Sequence, residues 1–467
     1  MLSSIINTFS NPTEPTHCTQ PSYKTFLYTL PIFIQCSLLH PSFSNSLVLS
    51  NLRVLLTPLN VILSLSLSID FCFKPLEFTG LGNFVLGILS VYLVCKSLEW
   101  GLLGGFWTGM YWERVEMDGR GLGGSEKSVE NKDQEKEKDQ VKDKDKEVMK
   151  NLEVANGNAS WSEIFGWTVM QSFSIRGLQY GWGPKKKLEA PKFKEILIRT
   201  ILLNSLQVIV LGFLIISKNS KKTINLFNLI GFPVNWFTNG ISELVYTFCF
   251  GTWFATSLDV AWSMFTLLCL SIHQLHSTGL FCTPLFGRPL ESDSLEIFWG
   301  KAWHQLLRRP ALVCAGIPAS QLVRKIGFGK QVQRIVGLFA SFFLVGVLHE
   351  FAIHSVARPP HPSSHIYTQE FPSSLIYFLL QPIGIIMERY VIPWIPKFLG
   401  GGKLWVLMFS LITATPYRRQ YVDRFRLIDK VYAHPDQWNF WSFVMPGGMM
   451  NLLETYRYLF VRNSDYF

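Results

Sequence analysis

Apolar runs separated by short polar stretches recur along most of the chain, and several approach the roughly 20 residues that a helix needs to cross a bilayer. Residues 47–73, 81–98, 196–217, 241–272, 335–354, 374–395 and 438–459 read as spanning helices. Residues 26–39 are apolar but fewer and hold Pro31, so they predict a short span or an interfacial piece. Residues 404–415 are short enough to be re-entrant or part of a broken helix. Pro58 lies near the middle of 47–73, and Pro382, Glu388 and Arg389 interrupt 374–395. The pattern predicts an all-α polytopic membrane protein with about eight transmembrane helices. No internal repeat is visible, which argues against a transporter built of two symmetric halves.

The polar stretches differ in kind. Residues 1–24 are polar and Pro/Thr-rich, a loose tail, and residues 25–112 hold the N-terminal membrane helices. The segment 113–160 contains EKSVENKDQEKEKDQVKDKDKEVMK, with mixed charges and almost no apolar residue. Such a stretch cannot bury enough apolar surface to offset its ordering entropy, so it predicts a disordered cytosolic linker. The sequon at Asn158 is then silent. Residues 161–467 form a second membrane domain, entered through a Trp-rich, basic segment at 161–191 with Arg176, Gly177 and Lys185, Lys186 and Lys187. That segment suits an anionic membrane face. It equally suits the phosphates of a coenzyme, and the residues do not separate the two uses.

Composition agrees with this picture. Hydrophobic residues make up 48% of the chain and charged residues only 16%, against roughly 25% charged in soluble domains. The formal net charge of +10 does not point to nucleic acid, because the basic residues flank apolar segments instead of forming one stripe. Arg288, Lys301, Arg308, Arg309, Arg324, Lys325, Lys330 and Arg334 crowd 277–334 and argue for its cytoplasmic location. The eight cysteines include no CxxC pair, so they suggest neither a zinc site nor a disulfide framework. Cys72, Cys95, Cys249, Cys269 and Cys314 read as small buried apolar residues. No cleaved signal peptide is predicted.

Two stretches hold groups able to do chemistry. The run 335–354, IVGLFASFFLVGVLHEFAIH, ends by setting His349 and Glu350 against an apolar helix, with His354 following. An ionisable group there is costly and marks a functional site; the plainer alternative is the wet end of an ordinary span. The second stretch is 298–309, FWGKAWHQLLRR. As a helix it would place Trp299 and Trp303 on one face, with His304 about a quarter-turn further round. Alone, it would read as an interfacial anchor, aromatic residues in the belt and Arg308 and Arg309 at the phosphates. Asp259, inside 241–272, either pairs with a neighbouring helix or belongs to the site, the structural pair being the favoured reading.

Together these parts resemble the wax synthase-like branch of the membrane-bound O-acyltransferases, in its fungal secondary-metabolite acetyltransferase type. The resemblance rests on Phe298-Trp299-Gly300, then Trp303 and His304, and an apolar helix ending in His349 some forty-five residues on. Arg176-Gly177 through Trp182, and the stretches 285–289 and 293–299, resemble the fungal members as well. Many members carry asparagine where this chain has His304, and an imidazole cannot copy both ends of an amide.

The resemblance implies a catalytic chamber in which an acyl group, acetyl foremost, moves from acyl-CoA to the hydroxyl of an apolar alcohol, a terpenoid or other fungal secondary metabolite. His349 would be the general base, as an imidazole near neutrality suits that task. His304 would orient it, bind the acyl carbonyl or stabilise the oxyanion. Trp299, Trp303, Arg308, Arg309, Arg176 and Glu350 are candidates for binding the substrates, the arginines for coenzyme phosphates. No bound cofactor and no metal are expected; the partners are acyl-CoA, the alcohol and membrane lipid, in the endoplasmic reticulum. Within the same branch, a long-chain wax-ester synthase is the alternative. Two readings come from other classes. A membrane di-iron oxidase would use His273, His276, His304, His349 and His354, but only the first two are tightly spaced, and His349 and His354 do not share a helical face. A transporter or scaffold would be indifferent to His349.

Overall fold

The structure, a computed structural model, describes residues 18–43, 46–73, 80–103, 160–173, 193–217, 226–229, 231–271, 284–356 and 373–424. The tail before residue 18, the charged run, Arg176, the Lys triplet, His273, His276 and the 438–459 span lie outside them.

The described residues are helical, with one isolated backbone bridge between Thr19 and Phe71. The longer helices are α1 (Tyr23–Ser37), α2 (Leu47–Asp70), α3 (Gly80–Leu98), α4 (Trp161–Phe173) and α5 (Phe193–Ser217). They continue with α6 (Trp236–Ser271), α7 (Ile317–Lys325), α8 (Lys330–Val356), α9 (Ser373–Val391) and α10 (Gly402–Arg418). Six of them, α2, α3, α5, α6, α8 and α9, are long and apolar enough to cross a membrane. The protein is an all-α, polytopic, integral membrane protein. Of the two doubtful segments, α1 has only 15 residues. The other, 404–415, lies inside α10, which runs on as a π-helical turn from Arg419 to Arg424; it is part of a longer helix. Pro382 leaves α9 unbroken.

Two compact units divide the chain. One comprises Phe26–Leu63 and Lys96–Lys186. Its helices are fastened by amides, as expected where lipid offers no competing partner. The Gln35 amide donates to the Arg53 carbonyl at 3.0 Å and to Thr57 Oγ1 at 3.0 Å, and its oxygen accepts from Asn60 at 2.9 Å. Lys96 and Glu99, both almost fully buried, pair at 3.3 Å. At the start of α4, Ser160 and Glu163 form a capping box: the Ser160 N–H donates to the Glu163 carboxylate at 2.7 Å, and the Glu163 N–H to Ser160 Oγ at 3.4 Å. Trp161 and Phe165 on α4 are exposed, as an interfacial helix requires.

The other unit comprises Met1–Thr25, Ser64–Cys95 and Lys187–Phe467. Its core joins Phe84, Val208, Leu211, Tyr246, Phe250, Trp253, Ala352, Ile353 and Tyr421. The predicted ion pair of Asp259 is present, to Arg199 of α5. Glu243 of α6 pairs with Arg418 and with Arg419, the latter at 3.3 Å. One expectation is corrected here. Cys72 is not a lone apolar cysteine: it forms a disulfide with Cys18, their Cα atoms 5.6 Å apart. Hydrogen bonds from Thr19 N–H to the Asp70 carbonyl and from Cys72 N–H to the Thr19 carbonyl hold the two chains together beside it. The pairing escapes sequence spacing because 54 residues separate the partners.

Candidate active site

α8 supplies the backbone of the site. Arg334, Gly337, Leu338, Ser341, Phe342, Val345 and His349 recur with helical spacing, singly or in adjacent pairs once per turn, and all line a cavity of about 650 Å³. That spacing makes a single stripe along the helix. From Arg334 to His349 it covers about 22 Å at 1.5 Å per residue. The stripe begins polar and ends aromatic. Gln333 and Arg334 stand at its start together with Ser320 and Gln321 of α7. α7 and the residue before it lie tight against this part of α8: a Cβ on Gly337 would stand 3.0 Å from the Gly316 carbonyl oxygen and 3.3 Å from Ser320 Cβ. His349, at the other end, is walled by Phe378 of α9 at 4.5 Å between ring centroids and by Tyr417 of α10 at 6.4 Å.

His349 is 7% exposed, and its Nδ1 lies 2.8 Å from the Val345 carbonyl oxygen. A carbonyl only accepts, so Nδ1 carries the proton and Nε2 keeps its lone pair. The ring's orientation depends on α9, which two features bring close. A Cβ on Gly346 would stand 3.0 Å from Leu375 Cα, an approach only glycine permits. Glu350 then caps the start of α9, its Oε1 accepting from the Ser374 N–H and, at 3.0 Å, from the Leu375 N–H. Two otherwise unpaired helix-end donors are satisfied in this way.

The second stretch does not fold as a continuous helix. Ser294 caps a short turn, its Oγ accepting from the Ile297 N–H at 3.1 Å. Phe298–Ala302 is then a single π-helical turn, closed by the Trp303 N–H donating to the Phe298 carbonyl at 2.7 Å. At Trp303 the backbone becomes extended, with ψ 162°. The expected shared helical face of Trp299 and Trp303 is therefore not how they meet. The rings nevertheless sit 6.0 Å apart, because the chain turns back on itself there. The Gln305 side chain holds the turn, donating to the Trp303 carbonyl at 2.8 Å. The Trp299 indole donates to Gln381 of α9 at 3.1 Å.

His304 follows the break. Its ring lies against Phe286 at 5.7 Å, Trp303 at 5.7 Å and Phe254 of α6 at 6.4 Å. Nδ1 is buried with no hydrogen-bond partner among the described residues. Burial in this aromatic surround pushes its pKa down to about 3, and His349 nearby adds to the effect. His304 is a neutral imidazole at physiological pH.

The cavity thus gathers Trp299, Trp303, His304, Arg308 and His349 from the sequence-predicted set. Arg309 and Glu350 are not among its lining residues, and Arg176 lies outside the described residues. Arg334 joins Arg308 as an exposed basic residue on the polar part of the wall. Sequence reasoning missed the tyrosines Tyr377, Tyr417 and Tyr421, which line the other end. Their rings stack in series, Tyr377 to Tyr417 at 4.8 Å and Tyr417 to Tyr421 at 4.2 Å. The four-residue spacing of Tyr417 and Tyr421 was the available signal. Among the described residues no three His, Cys, Asp or Glu side chains cluster as a metal site.

Comparison with known proteins points the same way. Residues 282–378 match the membrane bound O-acyl transferase family. The chain is 33% identical over 158 residues to the acetyltransferase ple2 of Rhodocybe pseudopiperita, covering 31% of this chain and 38% of that one. It is 30% identical over 147 residues to the acetyltransferase aurG of Calcarisporium arbuscula, 29% of this chain and 33% of the relative. To the O-Mevalon transferase macI of Penicillium terrestre it is 32% identical over 113 residues, 23% of this chain and 25% of the relative. The chain therefore spans well under half the length of these curated relatives. No solved structure matches it. The matched segment holds the Phe298–Ala302 turn, His304 and the His349 helix, and it is there that the chain is similar to the membrane bound O-acyl transferase family.

Proposed function

We propose that this protein transfers an acyl group, acetyl foremost, from acyl-CoA to the hydroxyl of an apolar alcohol, a terpenoid or other fungal secondary metabolite. His349 is the general base. The observation that carries this role is the bond between His349 Nδ1 and the Val345 carbonyl, which leaves Nε2 as the basic nitrogen of a cavity-lining imidazole. The alcohol's proton passes to Nε2 as its oxygen attacks the thioester carbonyl, and the proton then neutralises the departing thiolate. His304, held neutral by its surroundings, serves as a hydrogen-bond partner of the acyl group and exchanges no proton with it.

The graded wall suits two unlike substrates. Arg308 and Arg334 can receive the coenzyme phosphates, with Ser320, Gln321 and Gln333 along the polar arm that follows. The aromatic end accepts an apolar alcohol and keeps water from the thioester. Trp299 and Trp303 form part of that wall. The similarity to the acetyltransferases ple2 and aurG supports the acetyl group. The name of macI supports testing a larger acyl group as well. We place the enzyme in the endoplasmic reticulum, where the Cys18–Cys72 disulfide would face an oxidising lumen. The domain reading is retained as part of the proposal: tail 1–24, helices 25–112, cytosolic linker 113–160 and acyltransferase domain 161–467.

The test is a microsomal assay with labelled acetyl-CoA, a larger acyl-CoA, and a panel of terpenoid and fatty alcohols. Ester should form with the intact chain and disappear with His349→Ala, while the protein's level in the membrane stays the same. Near-normal turnover by that variant would remove His349 as the base.

A further inference from the structure

We propose that Tyr377 is a further catalytic group of this site beside His349 and His304, donating its phenolic hydrogen to the carbonyl oxygen of the bound thioester; this rests on the acyltransferase reading above. As the alcohol adds to that carbonyl, the C–O bond forms and negative charge collects on the carbonyl oxygen. The C–S bond then breaks, the charge leaves with sulfur, and the proton held on His349 Nε2 follows it. A base alone does nothing for the oxygen in the middle of this sequence. The site needs a donor already aimed at it.

Tyr377 meets three requirements for that donor. It lines the same cavity as His349 and His304. Its ring cannot swing away: it is wedged against Phe378 at 5.0 Å, Tyr417 at 4.8 Å and Trp299 at 6.5 Å between centroids. Phe378 and Tyr417 are also the ring neighbours of His349, so the two residues stand on one aromatic frame. Finally, its hydroxyl makes no hydrogen bond to any of the described residues. By contrast, the hydroxyl of Tyr421 in the same stack is paired with Ser374 Oγ at 3.3 Å. A phenol enclosed in a largely aromatic wall ordinarily finds a partner. One that lacks a partner among the described residues and lines a substrate chamber is placed for the substrate.

The variant Tyr377→Phe removes one oxygen and keeps the ring, and no hydrogen bond to a described residue is lost, so melting in detergent should not change. The expected result is a fall in kcat of about 100-fold or more, with KM for acetyl-CoA and for the alcohol within about threefold of the parent. Turnover within about threefold of the parent would overturn the assignment. So would a raised KM for the alcohol at unchanged kcat, which would make Tyr377 an acceptor contact. The parent chain is assayed alongside with the full panel of donors and alcohols. If it forms no ester, the acyltransferase reading itself fails and the tyrosine's role falls with it; if it turns over, the variant judges Tyr377 alone.

Discussion

A histidine on a membrane helix has two nitrogens to commit, and in His349 the helix's own Val345 carbonyl decides which one remains for chemistry. His304 is governed differently, by burial. Its pKa in the folded chain falls to about 3, whereas an unfolded histidine titrates near 6.5. Between those values the unfolded chain holds the extra proton, so stability at this position is complete above about pH 6.5 and is lost as the pH falls below it. Melting of the parent in detergent should drop between pH 7 and pH 5 more than that of His304→Asn; equal slopes would show that His304 is not held neutral. An acid limb of turnover near neutrality would belong to another group and should persist in His304→Asn. The sequence made His349 and His304 visible because ionisable residues stand out in apolar or aromatic surroundings. It hid Tyr377, Phe250 and Phe254, since an aromatic residue facing a chamber and one facing lipid look the same until the helix has been rotated into place.

Two contacts between α8 and α9 set the distance at which Phe378 meets His349. Glu350→Ala removes the acceptor shared by two N–H groups at the start of α9 and should destabilise the protein by about 2 kcal/mol. Glu350→Gln keeps an acceptor oxygen and should recover most of that loss in a detergent melt. At Gly346, a larger side chain must push Leu375 away. Gly346→Val should cost about 1–3 kcal/mol and depress turnover by moving Phe378; full activity would mean that α9 does not position the imidazole. The helices themselves were legible from their apolar runs, including the continuous α8. The turn at Phe298–Ala302 was not. A four-residue spacing of tryptophans fits a helix so well that nothing in the residues announced a π turn followed by an extended Trp303.

In the whole molecule, the disulfide and the basic residues give two independent marks of orientation. Disulfides persist in oxidising compartments, while Lys- and Arg-rich loops stay in the cytoplasm. Cys18 and Cys72 sit at the end of α2; the basic segment that holds Arg308 and Arg324 lies between α6 and α8. In sealed microsomes bearing Cys72→Ser, a membrane-impermeant maleimide should reach Cys18 only after the membrane is opened. Labelling without permeabilisation would place that end in the cytosol. The same variant should lose about 2–4 kcal/mol of stability. That pairing was beyond sequence reading, since closeness across 54 residues is a property of the folded chain. α6 carries a different consequence. Its 36 residues make a rod about 54 Å long, far more than a hydrocarbon core of about 30 Å accommodates upright. Such a rod must lean or project, and its lean follows the lipid around it. Because Thr247, Phe250 and Phe254 face the chamber from this one lever, the chamber's width should be tuned by the membrane. Proteoliposomes of graded acyl-chain length should show an optimum in the proposed turnover, making the protein a gauge of bilayer thickness.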